Sequence, residues 1–114
     1  MGETIEAPVD RQLAAYNDHD VDAFVEPYGE DIRICNFPDE ILCEGKSRLR
    51  EMYEGIFARA PAIHARLVNR ILIQNKVIDE EYVTHRAGKP DMRAVAIYEV
   101  EDKLIRKVFF LKEG

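Results

Sequence analysis

His64 and the carboxylates Glu80 and Glu81 are the side chains of this sequence best suited to moving a proton. An imidazole titrates near neutrality, and a carboxylate opposite it can orient the ring and balance its charge, so the two form a serviceable acid/base couple. His64 lies in a stretch that alternates like a strand over 63–74, and the glutamates lie in a second such stretch over 77–86. The turn between them falls near Asn75 and Lys76, and its register decides which glutamate points inward. With even-numbered residues inward, the candidate catalytic pair is His64 and Glu80. The blander reading is a hydrogen-bonded core or rim histidine.

Arg66 and Arg70 fall on the same face as His64 if the strand is regular, where they either bind an anionic substrate or neutralise Glu80 and Glu81. Tyr16, Tyr53, Tyr82 and Tyr98 either line a pocket that stacks a flat ligand or pack a core. Asp79 and Glu81 share one strand face, without the histidine that would suggest a metal. There is no GxSxG elbow, phosphate-cradling glycine loop, or Ser or Cys beside an ordered base. Cys35 and Cys43 flank a probable turn with no metal-ligand spacing, and two buried free thiols are expected rather than a bridge. No metal and no cofactor are expected.

The 114 residues, 46% hydrophobic and 33% charged, suffice for one globular domain with its own core. A formal net charge of -6, with basic residues scattered among acidic ones, argues against binding nucleic acid through its phosphates. The N-terminal stretch MGETIEAPVD lacks the basic start and apolar centre of a secretory signal. No apolar run approaches the ~20 residues of a membrane span, so no membrane partner and a cytoplasmic location are expected.

The elements that must position these residues follow from periodicity. Val9, Leu13 and Tyr16 recur at helical spacing over 7–18, and Asp20 is placed to cap a short second helix that closes at Pro27 and Gly29. Residues 31–37 and 40–44 read as strands around a turn at Pro38. Gly45 breaks the second strand, and Ser47 is a plausible cap for a helix running to Arg59. Four strands follow, over 63–74, 77–86, 92–100 and 104–112, as an antiparallel meander. The expected fold class is α+β, with three helices on one face of a curved antiparallel sheet.

In the four long strands the odd-numbered set is oily, with Leu67, Ile71, Ile73, Val95, Ile97, Phe109 and Leu111. The even set mixes apolar residues with His64, Arg66, Glu80, Tyr82, Tyr98 and Phe110. No helix remains to cover the oily face, so a homodimer through the outer face of the sheet is expected.

The order helix, helix, hairpin, helix and meander is similar to the superfamily of nuclear transport factor 2, ketosteroid isomerase and SnoaL-like polyketide cyclases. The runs AAYNDHDVDAFV (14–25), YGEDI (28–32), GKSRLREMY (45–53) and IRKVFFL (105–111) resemble that superfamily's helix junction, its link into the first strand, the start of its third helix and its last strand. The resemblance covers nearly the whole chain and implies a cone-shaped, cystatin-like fold around one pocket. Since this fold hosts enzymes and noncatalytic binders alike, it implies no single activity.

Ketosteroid isomerase chemistry needs a carboxylate base and two acidic donors that hold the developing enolate oxygen. By the resemblance the base falls on Asn36, one donor on Gln12 with Tyr16 a turn later, and the protonated acid on Ala96, while Tyr53 matches a supporting tyrosine. The expected ligand site is therefore Gln12, Tyr16, Asn36, Tyr53, Arg66, Tyr82, Tyr98 and Phe110, around the pair His64 and Glu80. The resemblance implies a steroid isomerase-like or SnoaL-like protein that takes a small apolar molecule and, if catalytic, works by acid/base chemistry without a cofactor. The other reading is a noncatalytic ligand-binding or protein-association domain that kept the cone and lost the acids.

Overall fold

A computed structural model describes residues 4–113 of the chain. Helix α1 (Glu6–Asn17) tolerates Pro8 because the first helical turn has no intrahelical acceptor for that N–H, and it buries Pro8, Val9, Gln12 and Ala15. Helix α2 (Val21–Val25) begins where the Asp20 carboxylate accepts from the Ala23 N–H at 3.2 Å. Strands β1 (Tyr28–Asn36) and β2 (Glu40–Glu44) form a hairpin. Helix α3 (Lys46–Arg59) then crosses the sheet. The expected Ser47 cap does not form: the helix starts two residues earlier, from Gly45 at φ 87°, a backbone region that L side chains rarely adopt.

Strands β3 (His64–Ile73), β4 (Lys76–Thr84), β5 (Met92–Glu101) and β6 (Leu104–Lys112) make the expected antiparallel meander. β6 then runs parallel to β1, which closes a six-stranded sheet in the order β2-β1-β6-β5-β4-β3. The three helices cover its inner face over a core that includes Val9, Phe24, Ile32, Ile34, Leu49 and Val108. Cys35 and Cys43 are buried free thiols, and because Cys43 pairs with Ile34 rather than with its neighbour Cys35, they face opposite sides of the hairpin.

The inner face does not keep one parity along the meander. Ile73 pairs with Lys76 across the Gln74–Asn75 turn, and Lys76 pairs in turn with Glu99. Both partnerships join an odd to an even residue. Even residues face the helices on β5, where Ala94, Ala96, Tyr98 and Val100 are buried, but odd residues do so on β4, where Val77, Asp79, Glu81 and Val83 are buried. A bulge between Leu67 and Asn69 shifts β3 once more, so Ala65 near its start and Arg70 near its end both face inward.

The expected even-inward register therefore holds for Tyr98 and Phe110 and fails for His64, Arg66, Glu80 and Tyr82, which lie on the outer face. Leu67, expected outside, pairs with inward Glu81. Arg66 stacks over its cross-strand neighbour Tyr82 at 5.8 Å, and Glu80 pairs with Arg93 at 2.8 Å. The outer face carries an apolar row in which Ile71, Ile78, Ile97 and Phe109 are successive cross-strand partners.

β3 is an edge strand, and its start is fastened to α1 through one side chain. The Asn17 amide donates to the Ala65 carbonyl at 3.0 Å and accepts from the Ala65 N–H at 2.8 Å, as a neighbouring strand would. Loss of this clamp in Asn17→Ala should cost about 1–3 kcal/mol, read as a lower urea midpoint at unchanged slope. A midpoint within error of wild type would show that water replaces the clamp at no cost.

Candidate functional site

Between the helices and the inward faces of the meander lies a cavity of about 550 Å³, within the usual range for small-molecule sites. Gln12 organises its floor. The Val9 carbonyl can only accept, so the Gln12 Nε2 must be the group that donates to it at 3.1 Å, which fixes the orientation of the amide. Nε2 then donates also to the Tyr98 hydroxyl at 3.1 Å, and Oε1 accepts from the Tyr28 hydroxyl at 3.1 Å. One buried amide thus ties α1 to β1 and β5.

Aromatic rings build one wall. Phe24 packs on Tyr53 with centroids 4.2 Å apart and on Tyr28 at 5.2 Å, and Tyr16 meets Tyr53 edge-on at 6.3 Å. Burial, and next the nearby Glu81 for Tyr16 and Tyr16 itself for Tyr53, push both phenol pKa values up. Both tyrosines are therefore protonated at neutral pH. Their hydroxyls have no hydrogen-bond partner among the described residues, so they are donors available to a guest.

The opposite wall carries Glu81, only 7% exposed, with its carboxylate on the cavity and no hydrogen-bond or ion-pair partner among the described residues. Burial, followed by the charge of Asp79, raises its pKa to about 7, with Arg70 drawing it partly back. Asp79, two residues away on the same face, is fully buried but fares differently. Arg70 grips it with Nε at 2.7 Å and Nη2 at 3.0 Å and also reaches Asp10 at 2.7 Å. An acid half ionised near neutrality, facing a hollow with hydroxyl donors across it, is equipped to take a proton from carbon or give one back.

Of the residues singled out from sequence, Gln12, Tyr16, Tyr53, Tyr98 and Phe110 line the cavity. His64, Glu80, Arg66 and Tyr82 do not, because the register puts them on the other side of the sheet. Asn36 is also outside the lining: its amide donates to the Glu40 carboxylate across the first hairpin at 2.7 Å. Ala96 lies buried on the inner face beside Asp79. Sequence reasoning missed Tyr28, placed only in the link from the second helix into the first strand, and the cations Arg59, Arg86, Lys89 and Lys112 at the cavity opening. The alternation in β4, with Val77 and Val83 in phase with Glu81, was the signal that could have favoured Glu81 over Glu80.

A family model described as a SnoaL-like domain matches residues 9–108. Among solved structures, an uncharacterised cystatin-fold protein from Novosphingobium aromaticivorans is 28% identical with a TM-score of 0.88, over 96% of this chain and 99% of its own. A protein of unknown function from Cytophaga hutchinsonii, similar to nuclear transport factor 2, is 15% identical with a TM-score of 0.82, over 99% of this chain and 93% of its own. A proposed polyketide cyclase from Sinorhizobium meliloti is 14% identical with a TM-score of 0.80, over 92% and 94%. No protein of curated function matches the chain in sequence.

A carboxyl group whose pKa rises from 4.5 in the open chain to about 7 on folding binds its proton more tightly in the folded state. Its penalty is absent below the lower value, grows as pH rises between the two, and levels off above the higher one at on the order of 3 kcal/mol. Glu81→Gln should therefore be more stable than wild type at pH 8.5, with the gap closing towards pH 5 in urea titrations. A gap independent of pH would mean that Glu81 ionises without cost.

Proposed function

Because the chain belongs to the SnoaL-like domain family, and because Glu81 is a buried carboxylate that no described residue engages, we propose that it shifts a proton on a small, largely apolar molecule held in the cone. Glu81 is the acid/base and no cofactor takes part. The unengaged carboxylate carries this reading: a fold that keeps such a group at a cost to its own stability gains from it elsewhere.

In this reading a carbonyl compound lies against the Tyr16, Phe24 and Tyr53 wall. Glu81 removes a proton from the carbon next to the carbonyl, the electron pair moves onto oxygen, and a tyrosine hydroxyl donates a hydrogen bond to the resulting enolate. Return of the proton to another carbon gives an isomerase; attack of the enolate carbon on a second carbonyl of the same molecule, whose π pair moves onto oxygen and takes the proton back from Glu81, gives a cyclase. The acid/base function sits on β4, not at Asn36 or Ala96, so the steroid isomerase arrangement is not reproduced and the substrate is not specified by it. Neither His64 nor Glu80 has a part.

Wild-type protein incubated in D2O with a panel of cyclic and β-dicarbonyl ketones should exchange an α-proton for deuterium, read by mass spectrometry. Glu81→Gln should slow this by roughly 10²–10⁴-fold. As Glu81 works in its ionised form, kcat/KM should rise with pH through about 7 and then level. Ketones that bind yet exchange no faster than in buffer would identify a noncatalytic binding domain instead.

We further propose that a second copy of the chain covers the outer face. The row Ile71, Ile78, Ile97 and Phe109 is bordered by Lys76, Glu99 and Lys107 on one side, and on the other by Val95, Leu111 and Glu80, which pairs with Arg93. A rim bearing both signs can pair with itself across a two-fold axis. Ile97→Glu buries an unpaired charge at such a contact and should yield monomer or insoluble protein in light scattering, whereas a soluble variant of wild-type mass would refute the contact.

A further inference from the structure

The opening of the cavity has a charge opposite to that of the protein. The chain as a whole carries 22 acidic and 16 basic residues, yet the cavity is lined by four cations, Arg59, Arg86, Lys89 and Lys112, and by one acid, Glu81. They come from three separate places: the last turn of α3, the β4–β5 loop and the end of β6.

None of the four has a carboxylate partner among the described residues, although Arg33, Arg48, Arg50, Arg70, Arg93 and Arg106 all do. The loop holds Arg86 in place, since its Nη1 donates to the Pro90 carbonyl at 2.6 Å and its backbone bridges to Lys89. Lys112 lies with Nζ 4.8 Å from the Phe110 ring centre, at the boundary between the apolar wall and the opening. Although the residue as a whole is exposed, partial burial of its ammonium and then the charge of Arg86 push its pKa down, as expected of cations gathered without an anion. They do not serve Glu81, whose charge is eased by Arg70 from the other side.

We infer that the cavity takes an amphipathic acid: a molecule whose apolar body lies on the aromatic wall and whose carboxylate is bound by these cations at the opening. The inference rests on the reading of the cavity as a small-molecule site and adds the class of ligand to it. The guanidinium groups of Arg59 and Arg86 supply paired N–H donors suited to a carboxylate, and a bound anion would relieve the repulsion among the four. The end of the molecule that carries no charge then lies deeper, towards Glu81 and the tyrosines.

The test compares 2-naphthoate with its neutral methyl ester by calorimetry at pH 8, where the acid is ionised. The acid should bind about tenfold more tightly, displace the ester, and lose that preference as salt shortens the screening length. In Arg59→Gln/Arg86→Gln the acid-to-ester ratio should fall to about one, while the charge-conserving Arg59→Lys/Arg86→Lys should keep most of it. An ester that binds as well as the acid, or an acid that fails to displace it, would overturn the inference and leave the cavity reading standing. If neither probe binds, both fall.

Discussion

Arg70 and Asp79 decide what the rest of β4 is able to do. Two carboxylates two residues apart on the inner face of one strand would repel each other and bear the desolvation of both charges. A bidentate guanidinium, itself shared with Asp10 on α1, holds the Asp79 carboxylate through two hydrogen bonds. Glu81, with no such partner, is left to titrate in the physiological range. The division depends on the β3 bulge, for in a regular strand Arg70 would share the outward face of Arg66 and could not reach across to Asp79.

This arrangement also explains why a hollow survives in a chain of this size. The aromatic wall is held by ring packing among α1, α2 and α3, and the floor by the Gln12 amide bound to Tyr28 and Tyr98, so each is fixed without filling the space between. Between Glu81, Tyr98 and Phe110 the strands present the smaller Ala65, Val83 and Ala94, and the cavity is bounded rather than filled.

Element order, the meander and the three-helix layer were legible from periodicity and from turn residues, because Pro27, Pro38 and Gly45 interrupt patterns that are otherwise clear. Tyr16, Tyr53, Tyr98 and Phe110 could be placed because helical spacing, the alternation of β5 and that of β6 from Lys107 onward are regular. His64 and Glu80 could not, since a two-residue turn at Gln74–Asn75 exchanges odd for even and a bulge exchanges it again. Neither leaves a mark in composition. The basic opening was illegible for another reason: Arg59, Arg86 and Lys112 are far apart in sequence, and only the closure of the cone brings them together.

The fixed amide of Gln12 gives its hydrogen-bond chain a direction. With Val9 taking one N–H and Tyr98 oxygen the other, the phenolic proton of Tyr98 must point away from Gln12, and no described residue waits to receive it. The fold therefore leaves the floor with a proton to offer: an oxygen with a lone pair that settles there can accept it.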